Sequence, residues 1–338
     1  MHTCAIIGLG NIGLMYDFDP QRSSPSSHAL AYTQNDNFKL VAASDTRVSQ
    51  EVYLLQKAPS TKFYENYLDM LAQQHPLDVI SLCTHANSRV QIIDHIVNHT
   101  STKLIFCEKP VAQSIQDCEE ISALLEVFPG KFIPNLTRRW NKGIQHAKKE
   151  ITSKKYGELQ KIHIRYTRGI YNTGAHLFDL IRFLVGAISD VRVLHKTYTS
   201  SEVSGELSFT FEFLCRESVV GFAEAFNDSY YYMFEIDLYF EGGKIEITRS
   251  GDIIKYLRVG DHPLFTDLKN LEEDQVEEHL LADSALKNAV AHLHNVLNGY
   301  ESPICEFRDG IYPLYVAEAL MKSYNNHGSR EKVVTNLE

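Results

Sequence analysis

The sequence runs to 338 residues, 44 % apolar and 22 % charged, with a formal net charge of −10. That length allows two domains with cores of their own, and the acidic balance excludes a nucleic-acid binder, which needs a basic face to neutralise phosphates. No apolar run approaches the ~18 residues of a membrane span, and the six cysteines are scattered without a CxxC pair, which suits a reducing compartment rather than a zinc or disulfide framework.

The opening Met1–Gly8 has neither the basic region nor the small-residue cleavage site of a signal peptide. It reads as a first strand, and the expected location is the cytoplasm. Apolar runs at 3–8, 39–44, 77–83 and 103–107 alternate with amphipathic stretches at 65–74, 87–98 and 114–126. This alternation predicts βαβ units, hence an α/β N-terminal Rossmann domain with a parallel sheet over residues 1–128. The rhythm then changes. Alternating strands are expected at 158–168, 190–199, 206–214, 218–226, 232–240 and 243–249, interrupted by a helix at about 174–186 and closed by helices near 277–298 and 309–326. Residues 129–338 therefore read as an α+β C-terminal domain, a mostly antiparallel open sheet with helices on one face. Asn227-Asp228 and Gly242-Gly243 read as hairpin turns. Tyr230-Tyr231-Tyr232 reads as the start of a strand with ordinary sheet packing, and the acids at 272–274 and 277–278 as a solvated surface. His292 and His294 fall on different faces of a helix and no HExxH occurs, so no metal site is expected.

The chemistry begins at Gly8-Leu9-Gly10-Asn11-Ile12-Gly13, a GxGxxG directly after a strand. Such glycines permit a tight turn, close backbone approach to a pyrophosphate and close helix–strand packing. The anion then lies against free N–H groups at a helix N-terminus. Asp45 ends the second strand, where a carboxylate binds the ribose diol and repels a 2′-phosphate, so NAD is favoured over NADP; Arg47 nearby softens that preference. Asp45 follows Gly13 by 32 residues rather than about 20. The polar segment Tyr16–Ser27 supplies the excess, as a loop inserted ahead of a helix that begins at His28.

A second anchor is Glu108-Lys109-Pro110 at the end of the 103–107 strand. Together with the glycine loop it resembles the Gfo/Idh/MocA oxidoreductase family, of the glucose–fructose oxidoreductase and inositol dehydrogenase type. Cys83-Thr84-His85-Ala86-Asn87 is similar to that family's TPN turn, Thr137–Asn141 to its joining segment, and Gly174-Ala175-His176-Leu177-Phe178-Asp179 to its HxxD helix. Arg308-Asp309-Gly310 and the residues around Glu318 resemble its closing helix. The resemblance implies nicotinamide-dependent hydride transfer at a hydroxyl or keto carbon of a sugar or sugar derivative, with Lys109 and His176 beside the substrate. It implies cofactor contacts from Gly8, Gly10, Asn11, Ile12, Gly13, Asp45, Thr84, Asn87, Glu108 and Lys109, and substrate contacts from Asn172, Tyr171 and Arg139. Histidine can take the hydroxyl proton near neutral pH, and an ammonium stabilises the developing charge on oxygen. The pattern departs at Asn172, where the family commonly has aspartate, since an amide orients a hydroxyl but does not accept its proton. It departs again at His85 and Val90, where the family has proline and histidine. A homo-oligomer, dimer or tetramer, is expected, with a carbohydrate substrate and no nucleic-acid or membrane partner. The alternatives are a non-catalytic NAD(P)-binding regulator of the same fold and an NAD-recycling, glycoside-cleaving enzyme.

Overall fold

The computed structural model describes residues 1–200, 205–216 and 218–335. The chain divides into two compact units, Met1–Trp140 with Ala282–Ile311 and Asn141–Leu281 with Tyr312–Glu338.

In the first unit β1 (His2–Ile7), α1 (His28–Thr33), β2 (Phe38–Ser44), α2 (Gln50–Lys57), β3 (Lys62–Tyr64), α3 (Tyr67–Gln73), β4 (Val79–Leu82), α4 (Arg89–His99), β5 (Leu104–Glu108), α5 (Ile115–Glu126) and β6 (Lys131–Asn135) follow one another. The six strands are parallel in the order β3-β2-β1-β4-β5-β6, the Rossmann arrangement expected from the alternation. β4 and β5 are buried along their whole length, as helices on both faces require. The strand order reverses between β1 and β4, and a doubly wound sheet binds its ligand beside the carboxyl ends at that point.

The second unit contains α6 (Lys142–Thr152), β7 (Leu159–Tyr166), α7 (Gly174–Leu184), β8 (Ile188–Thr197), β9 (Ser208–Cys215), β10 (Val219–Ala225), β11 (Phe234–Phe240), β12 (Gly243–Thr248), β13 (Ile253–Asp261) and β14 (Lys269–Glu277). After α8 (Ala285–Leu297), α9 (Phe307–Asn325) and β15 (Glu331–Lys332) end the described chain. Nine strands form one sheet, ordered β14-β13-β12-β11-β7-β10-β9-β8-β15, antiparallel at every junction except β7 with β10. Ile162, Ile164 and Tyr166 of β7 and Phe209, Phe211 and Phe213 of β9 share a core with Leu177, Phe178 and Ile181 of α7. Alternation turns Arg165 to the other face, where its guanidinium pairs with Glu235 at 2.9 Å and Asp237 at 3.0 Å.

Several local expectations are corrected. The boundary expected at 128/129 precedes β6, which pairs with β5 in the first sheet, and α8 belongs to the first unit. There Leu286, Ala289, Val290 and Leu293 join the core formed by Ala29, Tyr32 and Phe38. Asn227-Asp228 does not close a hairpin, because β7 lies between β10 and β11. The hairpin at Gly242-Gly243 is present, with Phe240 opposite Gly243. The three tyrosines at 230–232 precede β11 and are exposed rather than packed in the sheet. The acids at 272–274 and Glu277 lie on β14, whose antiparallel partner is β13, and the helix expected from 277 starts at Ala285 behind a Ser284 cap. Among the described residues no helix is long and apolar enough to cross a membrane.

Candidate active site and cofactor cradle

The glycine loop is built as its spacing requires. Gly8 has φ +97°, and a Cβ there would lie 2.8 Å from the Cys83 carbonyl carbon; one on Gly13 would lie 2.1 Å from the Gly8 oxygen. Gly10 differs, since a Cβ would meet nothing within 4 Å. Open space at this position is what a pyrophosphate approaching the backbone needs. The amides of Leu14 and Met15 bond to Gly10 O and that of Tyr16 to Asn11 O, whereas those of Asn11 and Ile12 have no backbone acceptor among the described residues. Such amides are a ready anion site.

The helix then resumes across the insertion. His28 N donates to Ile12 O (3.0 Å) and Ala29 N to Gly13 O (3.1 Å), so the turn at 10–13 and α1 stack as one helix while the intervening residues loop out. Ser27 caps α1, and the Asp17 carboxylate accepts from the amides of Ser26 (2.7 Å) and Ser27 (2.8 Å). Ser284 at the head of α8 donates to Pro25 O. The insertion is thereby tied down at its returning end.

Asp45, at the end of β2, accepts from Leu9 N of the loop at 2.8 Å and from the Arg47 guanidinium through both oxygens at 2.9 Å. Burial acts to raise this carboxyl, but the bonds from Arg47 and Leu9 outweigh it and hold Asp45 below the usual carboxylate range. After β4, Thr84 gives its carbonyl to Arg89 Nη2 at 2.7 Å, while its own hydroxyl is buried without a partner among the described residues. Asn87 is exposed. Open space at Gly10, the available amides, the carboxylate at the end of β2 and the orphan Thr84 hydroxyl together fit a dinucleotide, its pyrophosphate on the loop and a ribose diol on Asp45.

At the end of β5 the side chain of Glu108 is buried and Lys109 is half-buried. Arg89, itself buried, donates to the carbonyls of Glu108 and Pro110. His28 Nε2 meets Glu108 Oε1 at 2.8 Å and its Nδ1 meets Ser81 Oγ at 3.1 Å. From the sequence, Glu108 has a place at the site and His28 is only the start of a helix, and Ser81, Arg89 and Asn135 are not singled out. Partners 53 and 80 residues apart leave no local pattern to read. Arg139, an expected substrate contact, is buried instead in a pair with Asp309 (3.1 Å) and a bond to Ile304 O (3.1 Å).

In the second unit Arg168, with φ 65°, leads from β7 into a π turn over Gly169–Thr173 that runs on into α7. Ser208 Oγ accepts from Gly169 N at 3.0 Å, which ties the turn to β9. Asn172 lies in the turn and His176 in the first turn of α7, both half-exposed, while Asp179 is buried. π turns recur at functional sites because they re-aim side chains within a helix. Tyr171 donates its hydroxyl to Glu318 Oε1 at 3.1 Å. Burial, and then the neighbouring Glu318 carboxylate, push its phenol well up, so Tyr171 is a donor here and a poor proton acceptor.

Residues 2–127 match the model of an oxidoreductase family with an NAD-binding Rossmann fold, GFO_IDH_MocA. By those residues the N-terminal part of the chain is similar to the Gfo/Idh/MocA oxidoreductase family. Over 195 residues it is 21 % identical to the myo-inositol 2-dehydrogenase of Thermotoga maritima, 54 % of each chain; the chain spans about half the length of the curated relatives it matches. Levoglucosan dehydrogenase, solved with NADH and levoglucosan, superposes with a TM-score of 0.79 at 14 % identity, covering 99 % of this chain and 100 % of that one. The WlbA dehydrogenase of Chromobacterium violaceum, solved with NADH and UDP-GlcNAcA, gives a TM-score of 0.79 at 16 % identity, covering 100 % and 96 %. At such identities the likeness establishes the fold. The family match spans the glycine loop, Asp45 and Lys109; His176 lies beyond it.

Proposed function

We propose that the chain is an NAD(H)-dependent oxidoreductase that moves hydride to or from a hydroxyl or keto carbon of a sugar or sugar derivative, with Lys109 and His176 handling the proton. The observation that carries this reading is Lys109 at the carboxyl end of β5, on the edge of the parallel sheet that also bears the glycine loop and Asp45. Open α/β sheets bind ligands there. The relatives named above act on or bind a cyclitol and sugars, which supports a polyhydroxylated ring as substrate.

Gly10, Asn11, Asp45 and Thr84 would hold the dinucleotide, which when bound supplies the hydride acceptor or donor. Lys109 stabilises the negative charge that grows on the substrate oxygen as the C–H bond breaks. His176, in its neutral form, takes the hydroxyl proton, and in the reverse direction returns it. Asn172 orients a neighbouring hydroxyl, the role open to an amide. The working form is a cytoplasmic homo-oligomer, which a solution mass equal to one chain would refute.

The test is a fluorescence titration with NADH and NADPH, followed by turnover of a panel of sugars and sugar nucleotides by the wild type and Lys109→Ala. NADH affinity is expected to survive the substitution within about threefold, with turnover falling by ~10²-fold or more. Tight NADH binding without turnover of any sugar would favour the regulator, and no binding of either nucleotide would remove the basis of the proposal.

A further inference from the structure

Behind Lys109 the first unit holds a continuous run of buried polar groups that no step above uses. Tyr32, His28 and Ser81 are fully buried and Glu108 nearly so. Tyr32 Oη lies 2.7 Å from Ser81 Oγ, Ser81 Oγ 3.1 Å from His28 Nδ1, and His28 Nε2 2.8 Å from Glu108 Oε1. The same Glu108 oxygen accepts from Asn135 Nδ2 at 2.5 Å, and Asn135 Oδ1 accepts from Trp140 Nε1 at 2.8 Å. With a neutral imidazole carrying its proton on Nε2, every donor in the run has an acceptor: Tyr32 to Ser81, Ser81 to Nδ1, Nε2 to Glu108. An apolar filling would serve the sheet as well or better, so a polar run this deep indicates a task other than cohesion.

We propose that His28 is a positioning residue for Lys109: its Nε2–H fixes the Glu108 carboxylate while Arg89 fixes the Glu108 and Pro110 carbonyls, and together they set the backbone from which the Lys109 ammonium is aimed. Glu108 is held ionised for this purpose. Burial acts to raise its carboxyl, but the bonds from His28 and Asn135 and the Arg89 charge bring it below the usual range. The looped-out insertion is part of the device, since splicing α1 onto Ile12 and Gly13 is what delivers His28 to β4 and β5. The inference rests on the proposed function in one respect, that Lys109 is the group meeting the reacting oxygen.

Two substitutions separate aiming from packing. In His28→Gln the amide nitrogen replaces Nε2 and keeps a donor on Glu108; in His28→Asn the shorter amide keeps only the Ser81 side. His28→Gln is expected to retain the turnover number within about threefold, and His28→Asn to lose roughly 10- to 100-fold, the cost of misplacing a reacting group by about an ångström. The NADH dissociation constant should stay within about threefold in both. Equal turnover in the two variants, or losses that merely follow their melting temperatures, would overturn the inference. Where the α1 variants do not fold, Asn135→Ala removes the other donor on Glu108, and unchanged turnover there refutes the idea. Acylation of Lys109, followed by peptide mass spectrometry, needs no substrate: its rate should change at least about threefold in His28→Asn and not in His28→Gln. Were the wild type to turn over no sugar, the proposed function would fall while this labelling comparison still decided the role of His28.

Discussion

The three glycines of the loop have separable duties. Gly8 and Gly13 are required by the protein itself, one by its positive φ and its contact with the Cys83 backbone, the other by its approach to the Gly8 carbonyl. Gly10 has open space where its Cβ would be. Gly10→Ala should therefore fold normally, with stability unchanged or raised by up to ~1 kcal/mol through a less flexible unfolded chain. NADH binding should weaken at least about tenfold, or ~1.4 kcal/mol. Gly8→Ala should lose roughly 1–3 kcal/mol of stability from backbone strain alone. Thermal melts with and without NADH check both. A Gly10→Ala variant that bound NADH like the wild type would place the pyrophosphate elsewhere.

Among the elements, α8 shows most clearly what local sequence does and does not reveal. Its period is readable, and Leu286, Ala289, Val290 and Leu293 form the stripe that predicts an amphipathic helix. Which unit it covers is not readable, because its partners Ala29, Tyr32 and Phe38 lie some 250 residues earlier. All six strands of the first sheet lie within residues 1–140, yet without 282–311 the outer side of α1 is bare. A 1–140 fragment should accordingly be insoluble or molten, and the same fragment joined to 282–311 should fold; near-UV circular dichroism distinguishes them. Within the full chain, Leu293→Ala should cost about 2–5 kcal/mol. The same limit explains other misreadings. β14 carries Glu272, Glu273 and Asp274 because it is an edge strand, where charge discourages further pairing; the solvated surface that its composition implied is present, and what the composition concealed was the strand. The Asn227-Asp228 turn was legible as a turn, but the insertion of β7 between β10 and β11 is a long-range fact. By contrast the glycine loop, Asp45 and the Tyr16–Ser27 insertion were legible, since a ligand-binding turn imposes fixed residue types at fixed spacing. The Glu108–His28 pair was not, since burial and pairing across the sheet leave no spacing rule.

For the molecule as a whole, the distribution of perturbed carboxylates predicts which unit yields first to acid. Asp45, Asp78 and Glu108 are all held below the usual carboxylate range. At Asp78 burial opposes the shift, and the bonds from Lys103 and Thr3 outweigh it. All three belong to the first unit. Glu158, Asp261 and Glu331 of the second unit are lowered as well, but they are at the solvent-exposed surface, where pairing contributes little to stability. A carboxyl whose folded pKa is depressed stabilises the fold fully above its unfolded value, about 4, and that contribution is lost as the pH falls through the lower folded value. The first unit should therefore weaken progressively below about pH 4, with the second lagging. The sole tryptophan reports on this directly: Trp140 is buried in the first unit, and its indole nitrogen bonds to Asn135, which itself bonds to Glu108. On titration from pH 7 toward 2, Trp140 emission should shift to the red at a higher pH than the loss of far-ultraviolet dichroism, to which the nine-stranded sheet contributes. Asn135→Ala, having lost one of the donors that keep Glu108 ionised, should move the emission transition to higher pH and leave the later dichroism change in place. Coincident transitions in the wild type would mean that acid lability is shared between the units, and that the buried carboxylates of the first do not set it.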